Sequence, residues 1–352
     1  MGGLTGRIGT YLLDSFVVER CFNEGELTPS TTQNTAYVGG IVGYLSNRVV
    51  FRQCCNTVDV WMLPRYTCGR YAYLGGIAGF SDSSIYDCYN LGKVGASEGY
   101  DAAYYEMACG GIVGYSILGE SEMEYEITNC YTADKVIARA YHGAWAGGIV
   151  GNVTENYAEL TAKRCLVLSP SIGTYYDYVM GSTGGTTFKA NILGTGVGAN
   201  YGNNCYYLDG IKSEGSVSLS RPDKGLSWAW EEHVKDREWY DRLGWDFEEI
   251  WTMAEEQNNG LPYFTWIKDG YQIRSYDGKE VEVYSRLAGG NVLLCAASYD
   301  ESGRMLSTAA VQTDLVSGDN TISLPLEQMG AETKVFLWRA ANLKPLVLPY
   351  TV

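Results

Sequence analysis

The sequence predicts an all-β chain. Its expected parts are a parallel β-solenoid of about five to six repeats of ~36 residues, a short Trp-rich closing segment with a small helix, and a C-terminal seven-stranded β-sandwich. Three observations predict it: a Gly-Gly signature that recurs at fixed spacing, a cysteine that keeps step with it, and a run of short alternating segments after the repeats end. The expected boundaries are 1–209 for the repeats, 210–267 for the closing segment and 268–352 for the sandwich.

Gly-Gly-Leu-Thr-Gly opens at Gly2, Gly-Gly-Ile-Val-Gly follows at Gly39, Gly110 and Gly147, and Gly-Gly-Ile-Ala-Gly at Gly75. A degraded copy, Gly-Gly-Thr-Thr-Phe, is read at Gly184, so successive intervals are 37, 36, 35, 37 and 37 residues. Between signatures, apolar and polar residues alternate over short stretches, which is strand periodicity. One such unit cannot bury its apolar face alone, whereas stacked units can. The pairs Gly39-Gly40, Gly75-Gly76, Gly110-Gly111 and Gly147-Gly148 are expected to be structural, allowing a sharp turn and close backbone approach. A phosphate-cradling loop would need a strand before it, a helix after it and a Gly-Lys-Ser/Thr, none of which is present.

Each unit also carries a cysteine in one phase: Cys21, Cys54, Cys88, Cys130, Cys165 and Cys205, usually followed by an aromatic residue as in Asp87-Cys88-Tyr89-Asn90 and Asn129-Cys130-Tyr131-Thr132. Together the Gly-Gly signature and this strand resemble GLUG-motif repeats over about residues 2–208. Such repeats occur in large secreted or surface-attached bacterial proteins, including regions flanking IgA-cleaving peptidases. The resemblance implies a β-solenoid within an extracellular multidomain protein and no catalytic residues. The chain opens at the Gly-Gly of a unit, so the native start is expected upstream, and the missing secretory signal says nothing about compartment.

In-phase cysteines on stacked coils point the same way, which suits small buried hydrophobes better than disulfides. Reduced thiols are therefore expected, a state suited to an organism living without oxygen. Cys68 and Cys109 lie outside the phase and could pair with each other. Metal binding is disfavoured, because there is no Cys-x-x-Cys and the two histidines, His142 and His233, stand apart.

Between the cysteine strand and the next Gly-Gly lie stretches of variable length, read as loops on one side of the solenoid and rich in aromatics. Tyr66, Tyr71, Tyr100, Tyr104, Tyr105, Tyr141, Trp145, Tyr175 and Tyr176 are the candidate ligand-binding residues there. Arg65, Arg70, Asp101, Glu106, Arg139 and Asp177 could supply hydrogen bonds. The competing reading is that these rings simply cover the solenoid flank.

After about residue 210 the pattern stops. Trp228 to about Leu243 reads as a short helix, and five Trp fall between 228 and 251. Gly244-Trp-Asp-Phe, Trp251 and Gly260-Leu-Pro-Tyr resemble the segment that closes GLUG solenoids, which implies a cap. Asp246 with Glu248 or Glu249 could instead be a carboxylate pair of a sugar site. From 268 onward, seven short runs separated by turn signals such as Asp277-Gly278 and Ser317-Gly318-Asp319-Asn320 predict a β-sandwich. The module resembles the Ig-like or fibronectin-like spacers of surface proteins of Gram-positive anaerobes.

A formal charge of −15 argues against nucleic acid as a partner. No run approaches the roughly 20 apolar residues of a membrane span. The expectation is a monomeric, non-catalytic surface module without cofactor or metal. Its partners would be glycans or host or partner surface proteins. The alternative is an accessory region of a polysaccharide- or peptide-degrading secreted enzyme, or such an enzyme itself.

Overall fold

The computed structural model describes all residues except 10–15, 26, 28, 30–33, 47–48, 63–68, 98–103, 118–124, 155–159, 177–185, 194–199, 202–203, 216–225, 255–257, 268–270, 287–290, 342, 344–345 and 348. The chain divides into two compact units, Met1–His233 and Val234–Val352. The first is a parallel β-solenoid with four complete coils, at 42–75, 78–110, 113–147 and 150–190, flanked by partial ones.

Each complete coil supplies one strand to each of five parallel sheets. Starting after the Gly-Gly, the second complete coil runs through Ala78–Ser81 (sheet I), Ile85–Tyr86 (sheet II), Tyr89–Asn90 (sheet III), Val94–Ala96 (sheet IV) and Tyr104–Gly110 (sheet V). Register holds from coil to coil, as in Val38, Leu74, Cys109 and Ala146 of sheet V or Val60, Val94, Val136 and Ile172 of sheet IV. These in-register residues face inward and form one core.

The Gly-Gly pairs and the Asn-type strand turn out to be one device. A Cβ on Gly40 would lie 2.1 Å from the Gly76 carbonyl oxygen and 2.3 Å from Cγ of Asn56; one on Gly76 would lie 2.1 Å from the Gly111 carbonyl oxygen and 2.3 Å from Cγ of Asn90. The second glycine of each signature therefore vacates the volume that the inward side chain of sheet III fills. Those side chains form their own ladder: Asn23 Nδ2 donates to Asn56 Oδ1 (2.9 Å) and Asn56 Nδ2 to Asn90 Oδ1 (2.8 Å). Thr132 and Val167 continue the column under Gly111 and Gly148.

The cysteines occupy the other inward column of this corner. Each is preceded by a residue in the left-handed region: Arg20, Gln53, Asp87, Asn129, Arg164 and Asn204, with φ of 56°, 53°, 50°, 54°, 51° and 68°. That turn takes the next N–H out of the strand ladder and aims it at the sulfur one coil along. Cys21, Cys54 and Cys88 donate N–H to Cys54, Cys88 and Cys130 Sγ at 3.3, 3.4 and 3.4 Å. The thiols in turn donate to the carbonyl two residues back, as in Cys54 to Arg52 (3.1 Å) and Cys88 to Tyr86 (3.2 Å). One small, polarisable group thus satisfies a donor and an acceptor in a space too tight for a longer side chain. Burial pushes the Cys88, Cys109 and Cys165 thiols up, and these cysteines are free. Cys68 lies outside the described residues. Cys55 holds the register position that Tyr89 and Tyr131 hold in the next coils, and all three are fully buried.

Three expectations need correction. The sixth Gly-Gly phase is not at Gly184, which lies outside the described residues. Gly147 pairs with Ala190, and Ile149 N donates to the Ile192 carbonyl (2.9 Å), so Ala190-Asn191-Ile192-Leu193 fills the role. The repeat there is longer than the fixed period, because the corner before sheet V carries extra residues. Most of the aromatic stretches are not loops: Tyr71, Tyr104, Tyr105, Trp145, Tyr175 and Tyr176 lie on strands of sheets IV and V. The helix expected over about 228–243 begins later and in two pieces, Glu231–Val234 and Arg237–Leu243, because Leu226–Ala229 is a strand that adds to sheet III beside Cys205–Leu208. The second helix starts at Arg237 because Asp236 caps it, accepting from Glu238 N (3.0 Å), and stops at Gly244 in the left-handed conformation.

In the second unit, the Trp-rich segment packs ring on ring. Tyr240, Trp245, Trp251 and Phe264 have successive centroid separations of 5.1, 4.6 and 4.6 Å. Seven strands follow in two antiparallel sheets that share one core, with Ile273, Val281 and Val283 of the first against Leu294, Val335 and Leu337 of the second. This is the expected seven-stranded sandwich.

Two stability predictions follow from the corner. Gly76→Ala forces a carbon onto backbone oxygen and is expected to destabilise the protein by about 3 kcal/mol or more. Cys88→Ala strands the Cys54 N–H and is expected to cost about 2 kcal/mol. Urea unfolding midpoints test both, and an unchanged midpoint for Gly76→Ala would refute the close-packed corner.

Candidate functional site

The candidate binding residues separate into three fates. Tyr66 and Tyr100 lie outside the described residues, as do Arg65, Asp101 and Asp177. Tyr104 opens a strand of sheet V and Tyr176 ends one of sheet IV. The remaining five gather around the corner that joins these two sheets.

On the sheet V side, Tyr105 is 43% exposed and its ring stacks on His142 at 4.4 Å. His142 Nδ1 lies 3.8 Å from Glu106 Oε1, and burial raises the Glu106 carboxyl, with His142 and Arg70 acting in the opposite sense. Tyr71 pairs in register with Glu106 and carries Arg70 over its ring at 5.3 Å. Trp145 folds back over Gly143, whose Cβ would lie 2.3 Å from the indole. Tyr141 is half-buried at the corner itself. His142 is therefore part of a cluster rather than an isolated surface residue.

On the sheet IV side the outer face holds a cleft of about 300 Å³. Its floor is one register column, Trp61, Gly95, Ile137, Gly173 and Glu214, in which large and absent side chains alternate. The glycines are required. A Cβ on Gly95, at φ 145°, would lie 2.0 Å from the Ile137 carbonyl oxygen, and one on Gly173 would meet Ile137 Cδ1 at 2.8 Å. Trp61 and Tyr175 supply the aromatic walls, three coil steps apart, or about 14 Å along the axis.

Tyr175 is held firmly. Arg139 lies over its ring at 4.5 Å and its hydroxyl donates to Glu214 Oε2 at 3.2 Å. Glu214 is anchored in turn, because Lys189 Nζ donates to its main-chain oxygen at 2.7 Å. Lys189 occupies the inward column of sheet V and is buried, which lowers its pKa. On the opposite rim, Lys93 Nζ pairs with Asp59 Oδ2 at 3.2 Å.

A second set of rings falls outside the candidate binding residues. Tyr44, Phe80 and Tyr115 follow the last glycine of their signatures, and Tyr37 and Tyr73 stand two residues before the first. In the structure they interlock across sheets I and V: Tyr44 on Phe80 at 4.2 Å, Tyr73 on Tyr115 at 4.3 Å, Tyr37 against Tyr73 at 5.5 Å. Their faces are spent on one another, and Arg7 covers the end of the stack at Tyr44. This is the flank-covering role, confined to one corner. The recurring aromatic after Gly-x-x-x-Gly was the available signal. Of the carboxylates proposed for a sugar site near the tryptophans, Asp246 is engaged locally, its Oδ1 accepting from Glu248 N and Glu249 N, each at 2.9 Å.

No family model matches the chain. No curated protein matches it either. Among solved structures it is similar to a protein of Bacteroides ovatus provisionally named an immunoglobulin A1 protease, at 18% identity and a TM-score of 0.37, covering 72% of this chain and 76% of that one. No helix among the described residues is long and apolar enough to cross a membrane.

The cysteine column makes a solution prediction. Thiol-specific labelling of the native protein is expected to spare Cys54, Cys88, Cys109, Cys130 and Cys165, which are fully buried, and to reach them only in denaturant. Rapid labelling of these five under native conditions would contradict the burial described.

Proposed function

We propose that this protein is a non-catalytic recognition module of an extracellular bacterial surface protein, built from GLUG-type repeats, whose ligand is an extended glycan lying along the sheet IV cleft. The sandwich, read as an Ig-like spacer, would present the solenoid. One observation carries the reading: two aromatic walls about 14 Å apart, on a rigid floor parallel to the coil axis. Sugar rings offer apolar C–H faces to such walls and hydroxyls to fixed polar groups, here the Lys93–Asp59 pair and the Tyr175–Glu214 hydrogen bond. Because the groups stand on paired strands and are locked by neighbours, little ordering is lost on binding.

The carboxylates that line the cleft favour binding over hydrolysis. Asp59 precedes Val60, and Glu214 stands four coil steps from Trp61, so the two lie roughly 19 Å apart along the axis. Glycosidase pairs stand about 5–9.5 Å apart.

The test is a glycan-array screen of the folded protein beside Trp61→Ala and Tyr175→Ala. Each variant is expected to weaken binding about tenfold while still unfolding in one cooperative transition, at a midpoint lowered in Tyr175→Ala by the loss of its hydrogen bond to Glu214. Undiminished binding by both variants would remove the cleft from consideration.

A further inference from the structure

The charged groups of the cleft bear on the charge of its ligand. Four ionised side chains line the cleft: Asp59, Lys93, Lys135 and Glu214. Three are engaged. Lys93 is neutralised by Asp59 at 3.2 Å, and Glu214 accepts the Tyr175 hydroxyl. Lys135 differs, because its exposed side chain forms no ion pair among the described residues. The adjacent carboxylate, Asp134, accepts the Lys135 main-chain N–H at 2.7 Å and attracts the Lys135 and Lys93 ammoniums without closing an ion pair with Lys135.

Lys135 directly precedes Val136, which pairs with Val94 on one side and Ile172 on the other. It therefore stands between the coil of Trp61 and the coil of Tyr175, about 10 Å from the first and about 5 Å from the second along the axis. A chain stacked on both rings passes the ammonium on its way.

We propose that the cleft selects glycans bearing a carboxylate, such as a uronic acid, which pairs with Lys135 while the flanking sugars stack on Trp61 and Tyr175. This rests on the cleft being the ligand site. A single ammonium without an arginine fork suits a monoanion better than a phosphate ester, which draws bidentate donors. The chain's formal charge of −15 does not oppose this at contact, since it is screened beyond about 8 Å at physiological salt.

The experiment measures binding of the whole protein to hyaluronan, chondroitin, oligogalacturonate and alginate oligosaccharides. Each is paired with the same sugar after reduction of its carboxylates to alcohols. The expected result is that at least one acidic oligosaccharide binds and its reduced form binds roughly tenfold more weakly. Lys135→Gln is expected to erase that difference by weakening the acidic form alone, whereas Trp61→Ala weakens both forms. Equal binding of acidic and reduced forms, lost in Trp61→Ala, overturns the charge selection and leaves the cleft as the site. Selection for the acid that survives Lys135→Gln overturns the role of Lys135. Binding of no oligosaccharide in the series overturns this inference and the cleft reading together.

Discussion

The solenoid depends on one contact: the inward side chain of sheet III pressed against the second glycine of the Gly-Gly signature. Asn56 under Gly40 and Asn90 under Gly76 leave no room for a methyl group. That contact fixes the distance between opposite walls, and the distance fixes everything the walls can hold. The buried amides satisfy one another from coil to coil, so the polar column carries a ladder in place of a penalty. The cysteines then fit the narrow angle beside it, where the left-handed residue has turned an N–H inward.

The corner residues show how unequal the coils are beneath their common register. Asp87, Asn129 and Asn204 suit the left-handed conformation, whereas Arg20, Gln53 and Arg164 adopt it at a cost of order 1 kcal/mol each. Partial compensation is visible on the surface: Arg20 Nε donates to Gln53 Oε1 (3.2 Å) and Arg164 Nε to Asn129 Oδ1 (2.7 Å). The stacked geometry places side chains of successive coils at bonding distance, so a strained residue finds a partner in its own column.

Much of this architecture was legible in the residues. Gly-Gly and Cys mark positions where only one or two side chains fit, so those letters recur and expose the period. The sixth signature escaped because Ala190-Asn191 replaces Gly-Gly. Ile192-Leu193 preserves the apolar part of the motif, and a coincidental Gly184-Gly185 falls at the interval of the other copies. The candidate site was legible only in part. Tyr175 stood out by its type, but the cleft depends on Gly95, Ile137 and Gly173, whose meaning is the column they share across coils. Composition cannot reveal adjacency between residues some 35 to 40 positions apart. Likewise, the aromatics of sheets I and V looked available for ligands until their mutual stacking showed otherwise.

The floor of the cleft is a register column, and its length is therefore counted in coils. Duplicating one internal coil would extend the groove by one strand spacing, about 4.8 Å, without altering the chemistry at either end. Deleting one would shorten it by the same step. A protein of this design can adjust the span between its two aromatic walls as a ruler is adjusted, in whole divisions, while every division keeps the same internal packing. Under the proposed reading of the cleft, ligand length and ligand chemistry would be separable traits, the first written in the number of repeats and the second in the few side chains that face outward from them.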